Sequence, residues 1–268
     1  MKNGIVIPCY NEAARLDLAA FASFIQQRPD YRLCFVNDGS TDDTLQNLRR
    51  FQRAHGEQVL VYDMPQNGGK AAAVRAGVFT LLADPRVRSV GFIDADLSTG
   101  FADYTTLVNK LHAPGRQELV FGSRCAEADN HIERTPFRAL TSKAVGVLIR
   151  SLLRLPIEDT QCGAKVFTAE LARICFAAPF VTRWLFDVEL FMRARRHYGP
   201  QVMQRLQESP LREWIHVEGS KITLRDSLEI PAQLAKIGYA YELQPALSGG
   251  AVQLGRFSRR LATSLNLL

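Results

Sequence analysis

Ser89-Val90-Gly91-Phe92-Ile93-Asp94-Ala95-Asp96 is an apolar run that breaks into two carboxylates one residue apart. The run predicts a buried strand, and Asp94 and Asp96 then lie at its end. In a parallel sheet, ligands bind in the crevice beyond the carboxyl ends of the strands. A carboxylate pair there suits a hard divalent cation that is itself bound to phosphate oxygens. An isolated Asp-x-Asp is more simply explained as a hydrated strand-end turn, so the neighbouring segments decide.

Two segments repeat the pattern. Gly4-Ile5-Val6-Ile7-Pro8-Cys9-Tyr10-Asn11-Glu12 reads as a first strand feeding a helix. Arg32-Leu33-Cys34-Phe35-Val36-Asn37-Asp38-Gly39-Ser40-Thr41 reads as a second, with Ser40 or Thr41 capping the helix that follows. Three strand ends thus deliver Glu12, Asp38 and the Asp94/Asp96 pair to one edge, where carboxylates repel unless a cation or hydrogen-bond donors hold them. The alternation predicts strands near 4–8, 32–37, 58–62, 89–94 and 118–122, with helices near 12–27, 41–55, 69–83 and 102–112. This is the signature of an α/β fold with a doubly wound, mostly parallel sheet and helices on both faces.

The sequence resembles family 2 glycosyltransferases of the GT-A fold. The likeness is carried by Ile7-Pro8-Cys9-Tyr10-Asn11-Glu12, Val36-Asn37-Asp38-Gly39-Ser40-Thr41-Asp42, Asn67-Gly68-Gly69-Lys70 and Asp94-Ala95-Asp96, in that order. Four later motifs resemble the narrower dolichyl-phosphate glucosyltransferase branch. They are Gly122-Ser123-Arg124, Asp159-Thr160-Gln161-Cys162-Gly163-Ala164-Lys165, Trp184-Leu185-Phe186-Asp187-Val188-Glu189 and Val217-Glu218-Gly219-Ser220-Lys221. Ala164 stands where that branch usually has an aromatic residue. The resemblance implies an inverting, metal-dependent enzyme that moves a hexose, glucose from UDP-glucose, to a polyprenyl phosphate.

On that basis Asp96 is the expected direct ligand of Mg2+ or Mn2+, with Asp94 holding the ribose or supporting the metal shell, and Ser98, on the same face as Asp96 in an extended segment, adding an oxygen or a water bridge. Asp38 and the backbone around Pro8 and Tyr10 are expected to frame the uracil, and Glu12 to reach the ribose. Asn67-Gly68-Gly69 would turn backbone N–H groups toward the crevice, and Lys70 would add a counter-charge. Arg124, Arg134, Arg138, Gln161, Lys165, Ser220 and Lys221 are expected around the acceptor and donor phosphates. Asp187 is expected to orient Lys165 or the sugar. A polyprenyl phosphate is already an anionic nucleophile, whereas a sugar-hydroxyl acceptor would require Asp159 or Asp187 as general base. A nucleotide-sugar-binding protein without turnover is the alternative of another class. Trp184 is expected to be either core or a sugar-stacking platform, and His216 structural.

Composition limits the field. The chain has 268 residues, 47% of them hydrophobic, a net charge of +6 and five cysteines. This suits one globular domain, 1–240, with an appendage at 241–268. No dense Lys/Arg stripe is interleaved with aromatics, so a nucleic-acid partner is not expected. The cysteines lie mostly in or beside apolar runs and none has zinc-ligand spacing, which predicts reduced packing residues. No window reaches the ~20 apolar residues of a membrane span, and Met1-Lys2-Asn3 runs straight into the first strand, so a cytoplasmic protein is expected. Two segments could seat it peripherally on a membrane. One is the helix expected near 136–154, with Arg138, Lys143, Arg150 and Arg154 among its apolar residues. The other is 250–268, whose Leu254, Phe257, Leu261, Leu265 and Leu268 fall on one helical line.

Overall fold

A computed structural model describes residues 1–124, 136–214 and 224–243, without the side chains of 136–144 and 224–228. Among these residues, β1 (Lys2–Cys9), β2 (Tyr31–Asp38), β3 (Val59–Met64), β4 (Val87–Phe92), β5 (Leu119–Ser123), β6 (Lys165–Thr168) and β7 (Leu206–Pro210) form one sheet. Its order is β3-β2-β1-β4-β6-β5-β7. All neighbours run parallel except β6, which is antiparallel to both β4 and β5.

The chain leaves β1 for β2 on one side and reaches β4 on the other, so the strand order reverses at β1. A crevice opens at such a reversal. The β1–β4 ladder stops at Val6↔Phe92, which leaves Pro8, with no N–H to donate, beyond the ladder on that side of the strand. Asp94 follows just past the same point.

Both faces of the sheet are covered. Side chains alternate along a strand, so Val6 of β1 joins one core with α3 (Lys70–Leu82), α6 (Ala169–Cys175) and α7 (Phe186–Tyr198). Ile5 and Ile7 join the other with α1 (Leu18–Gln27) and α4 (Phe101–His112). α2 (Thr44–His55), α5 (Pro136–Leu153) and α8 (Leu224–Gly238) complete the α-helices of the described residues. Cys9, Cys34, Cys162 and Cys175 are buried and unbridged. Burial pushes the Cys34 and Cys175 thiols up to about 12, so they are inert packing groups.

Two expected helix starts move. α1 begins at Leu18 rather than Glu12, because Asp17 caps it by accepting from Ala20 N–H at 3.0 Å. α2 begins at Thr44, because Ser40 and Thr41 are engaged elsewhere: Asn11 N–H donates to Ser40 Oγ at 3.0 Å and Thr41 N–H to Asn11 Oδ1 at 2.9 Å. These bonds tie the end of β1 to the end of β2.

At the opposite end of the sheet, His112 Nε2 lies 3.1 Å from Asn3 Oδ1 and 3.2 Å from Ser89 Oγ. Burial, assisted by the Arg88 charge, holds the imidazole below its ordinary value of about 6.5. The unfolded chain therefore takes up this proton first as pH falls. Stability from His112 is complete above about pH 6.5 and is lost as pH drops toward the folded value. Denaturant midpoints measured at pH 7.5 and 5.5 should fall less for His112→Gln than for the wild type; equal slopes would remove this group as the cause.

Candidate active site

The site grows from the β4 end. After Asp94 the chain turns sharply: Leu97 N–H donates to Asp94 O at 3.2 Å, Ser98 N–H to Asp96 Oδ1 at 3.0 Å, and Leu97 adopts φ 55°. A non-glycine residue in this region is strained and is held by its surroundings. The chain is thus turned at residues 94–98 rather than extended, and Ser98 meets Asp96 through its backbone.

Asp94 Oδ1 is 2.5 Å from Lys70 Nζ. Burial would lower the lysine, but the charges of Asp94, then Asp187 and Asp96, hold it above its ordinary value. Gly163 backs the other side of Asp94, where any Cβ would overlap the carboxylate. Asp94 is thus clamped, while Asp96 is half-buried beside it.

A divalent cation fits this donor set. Asp94 and Asp96 offer hard carboxylate oxygens one residue apart at the end of β4, and among the described residues no group of three or more His, Cys, Asp or Glu side chains is placed to hold a metal. Two carboxylates leave coordination positions for phosphate and water, the usual arrangement for Mg2+ bound with a nucleotide.

On the β2 side, Asp38 is 3% exposed, and its two oxygens accept from Gly68 N–H at 2.7 Å and Gly69 N–H at 2.9 Å. Burial pushes its carboxyl up against the pull of these donors. The N–H groups of the glycine pair therefore serve Asp38 rather than pointing into the open crevice, and the Asn67–Lys70 turn is fastened to β2. Glu12 sits at the same rim, gripped by Arg15 at 2.9 Å, with its backbone N–H on Thr44 Oγ1 at 2.8 Å. Tyr10 is partly exposed beside it.

The acceptor side differs most from expectation. Lys165 is fully buried at the start of β6, and its ammonium lies 2.6 Å from Asp187 Oδ1 and 2.7 Å from Cys162 O. Antiparallel pairing of β6 between β4 and β5 sets Lys165 opposite Phe92 and Phe121. The structure therefore corrects its expected place: Lys165 is a buried partner of Asp187 and of the Cys162–Gly163 turn, not an open phosphate contact.

Arg124, at the end of β5, keeps about a third of its side chain exposed. Asp159 holds it through Nε at 2.7 Å, Nη2 at 2.9 Å and the backbone N–H at 3.1 Å. Burial raises the Asp159 carboxyl, but Arg124 outweighs this and keeps it below the usual carboxylate range. Gln161 N–H also donates to Asp159, at 3.0 Å. Trp184 is partly exposed and lines a groove rather than the core.

Two contributors, Glu189 and Arg183, had almost no signal in the sequence. Glu189, fully buried, accepts from Val181 N–H and Thr182 N–H at 2.9 Å and from the Thr182 hydroxyl at 2.7 Å. It fixes the loop that precedes α7, and that loop carries Arg183 to the Asn67–Gly69 turn. Only the spacing Asp187-x-Glu189 hinted that the two acids serve different partners. Arg134, Ser220, Lys221, His216 and the segments 215–223 and 250–268 lie outside the described residues, as does the side chain of Arg138.

Comparisons with known proteins give the family and the fold. The family model for glycosyl transferase family 2 matches residues 4–164. A dolichyl-phosphate beta-glucosyltransferase of Drosophila melanogaster is 34% identical over 233 residues, which is 82% of this chain and 68% of that protein. The Homo sapiens protein of the same name is 32% identical over 232 residues, 81% and 68% of the two chains. The fold is shared with glucosyl-3-phosphoglycerate synthase from Mycobacterium tuberculosis, solved in complex with Mn2+ and UDP-glucose. The TM-score is 0.63 at 21% identity, covering 88% of this chain and 79% of that one. The architecture is the GT-A glycosyltransferase fold, and the chain belongs to glycosyl transferase family 2, as a glycosyltransferase similar to the dolichyl-phosphate beta-glucosyltransferases.

Proposed function

We propose that the protein transfers glucose from UDP-glucose to a polyprenyl phosphate, with inversion and with Mg2+ or Mn2+. The observation that carries this reading is the state of the two carboxylates able to serve as a base. Asp159 is bound by Arg124 and Asp187 by Lys165. A hydroxyl acceptor needs a base poised near the working pH, and Asp159 is held well away from it. A phosphate monoester needs none, because its oxygen is already a nucleophile. That oxygen attacks the anomeric carbon as the bond to the UDP oxygen breaks, and UDP departs with the electron pair.

Asp96 and Asp94 would hold the metal, which when bound supplies charge to the departing diphosphate. Lys70 orients Asp94 and adds a cation to the same edge. Pro8, Tyr10, Glu12 and Asp38 frame the nucleoside; Arg124 and Gln161 face the acceptor phosphate. Arg's planar fork suits two phosphate oxygens at once. Lys165 acts by positioning, through Asp187 and the backbone beside Asp94. Seating at the cytoplasmic face of a membrane is supported by α5, where Val147 is 53% and Leu148 49% exposed next to exposed Arg150. The names of the relatives support the lipid-phosphate acceptor.

The test is an assay with UDP- and GDP-sugars, with and without polyprenyl phosphate, in Mg2+, Mn2+ or chelator. Product should form from UDP-glucose only when both the lipid phosphate and the metal are present. Faster transfer to a sugar hydroxyl, with a basic pH limb that Asp159→Asn or Asp187→Asn removes, would replace this reading with the hydroxyl-acceptor one.

A further inference from the structure

The loop between α6 and α7 is held by side-chain bonds from α7 and α3. Glu189 takes its backbone at Val181 and Thr182. Arg193 donates to Cys175 O and Ala178 O at 2.7 Å and to Pro179 O at 2.8 Å. Arg75, from α3, donates to Phe176 O and Ala177 O, each at 2.8 Å. Tyr241 adds its hydroxyl to Glu189 at 2.9 Å. A loop fixed by so many charge-assisted bonds is preorganised, and what it presents to the crevice is Arg183.

Arg183 lies across the Asn67-Gly68-Gly69 turn. Its carbonyl accepts from Ala71 N–H at 3.3 Å, and its Nη2 donates to Asn67 Oδ1. Its Nε stands 2.7 Å from where a Cβ of Gly69 would be. Gly69 is at φ 86°, a conformation in which a side chain is strained as well as crowded, so glycine there leaves the guanidinium room over the turn. The next residue, Lys70, reaches Asp94. The two cations therefore flank one turn, but they are not equivalent. Lys70 is engaged by a carboxylate, whereas Arg183 forms no salt bridge among the described residues and is exposed, bonded to a neutral amide. It also borders a groove of about 300 Å³ shared with Trp184, Gln233 and Lys236.

We propose that Arg183 is a binding residue for the diphosphate of the nucleotide donor. It exchanges the Asn67 amide oxygen for phosphate oxygens and so supplies a forked cation opposite the metal-bearing carboxylates. A charged acceptor makes the stronger bond with a guanidinium, so the exchange favours the bound state. The inference rests on the donor reading given above. It adds a recognition element carried by the α6–α7 loop, outside the strand-end motifs.

Calorimetric titration of wild type, Arg183→Ala and Arg183→Lys with uridine and with UDP, in Mg2+, separates the possibilities. Arg183→Ala should weaken UDP binding about 10- to 100-fold while uridine stays within about twofold, since one charge-assisted phosphate contact is lost. Arg183→Lys should recover part of the UDP affinity, because the charge remains and the fork is lost. Equal weakening of uridine and UDP would show that Arg183 only supports the turn, and unchanged UDP affinity would show that it does not meet the diphosphate; either result overturns the proposal. A wild type that binds no UDP would overturn the donor reading and this proposal together.

Discussion

Asp96→Ala is expected to reduce glucosyl transfer at least about a hundredfold, the scale on which one preorganised electrostatic contact to a developing charge acts, and to abolish the metal-dependent part of UDP binding. Its melting temperature should stay within about 2 °C of wild type, since the residue is half-buried at a crevice rim and, among the described residues, its carboxylate accepts a hydrogen bond only from the neighbouring Ser98 N–H. The same change at Asp94 should behave differently. Asp94 holds Lys70 and packs against Gly163, so removing it disturbs the Lys70 turn as well as the metal shell. Calorimetry with UDP in Mg2+ and in chelator, run beside a thermal melt, reads both effects. Near-normal turnover by Asp96→Ala, or full wild-type activity in excess chelator, would remove Asp96 from the metal site.

The second large effect is on stability. Lys165→Ala should cost about 3–5 kcal/mol, because it leaves the Asp187 carboxylate buried without its partner. In a protein of this size that lowers the melting temperature by roughly 10 °C. The double change Lys165→Met with Asp187→Leu should recover most of that loss, since a buried ion pair replaced by apolar groups of similar volume is often neutral or better. The surroundings allow it: the Phe92 and Phe191 rings lie 5.6 and 5.8 Å from the ammonium. Transfer should remain impaired in the stable double variant, because the Cys162–Gly163 turn beside Asp94 loses its Lys165 bond. A Lys165→Ala protein that melts like wild type but uses the lipid phosphate poorly would restore Lys165 to direct phosphate contact.

These two cases mark where sequence and tertiary structure divide the work. The strand-end pattern is local, since an apolar run that stops at a polar residue predicts both the strand and what lies at its mouth. Residues 1–124 could accordingly be read directly. β1 to β5, α3, α4 and the gathering of Glu12, Asp38, Asp94 and Asp96 at one edge follow from composition and period, and the motif order adds the family. The start of α1 moves because Asp17 caps it, and that of α2 because Ser40 and Thr41, helix caps by local preference, are engaged elsewhere. Here they are recruited to bind Asn11, about thirty residues away.

Past residue 124, local signals weaken. β6 is four residues long and begins with a lysine; no period test finds such a strand, and it exists because β4 and β5 leave a slot that an antiparallel segment fills. β7, another short strand and one at the sheet's edge, is likewise made by its pairing with β5. A charge in sequence carries no label of burial, so Arg124 and Lys165 looked alike. Packing alone separates them, leaving the first at a strand end held by Asp159 and enclosing the second within the sheet. The same holds for Arg183, an ordinary arginine until the bonds of Glu189, Arg193 and Arg75 set its loop across the Asn67–Gly69 turn. The sequence by itself determined the sheet's first half, the acidic edge and the family. Which cations face the crevice was decided by tertiary structure, because desolvation and ion pairing depend on neighbours that are distant along the chain.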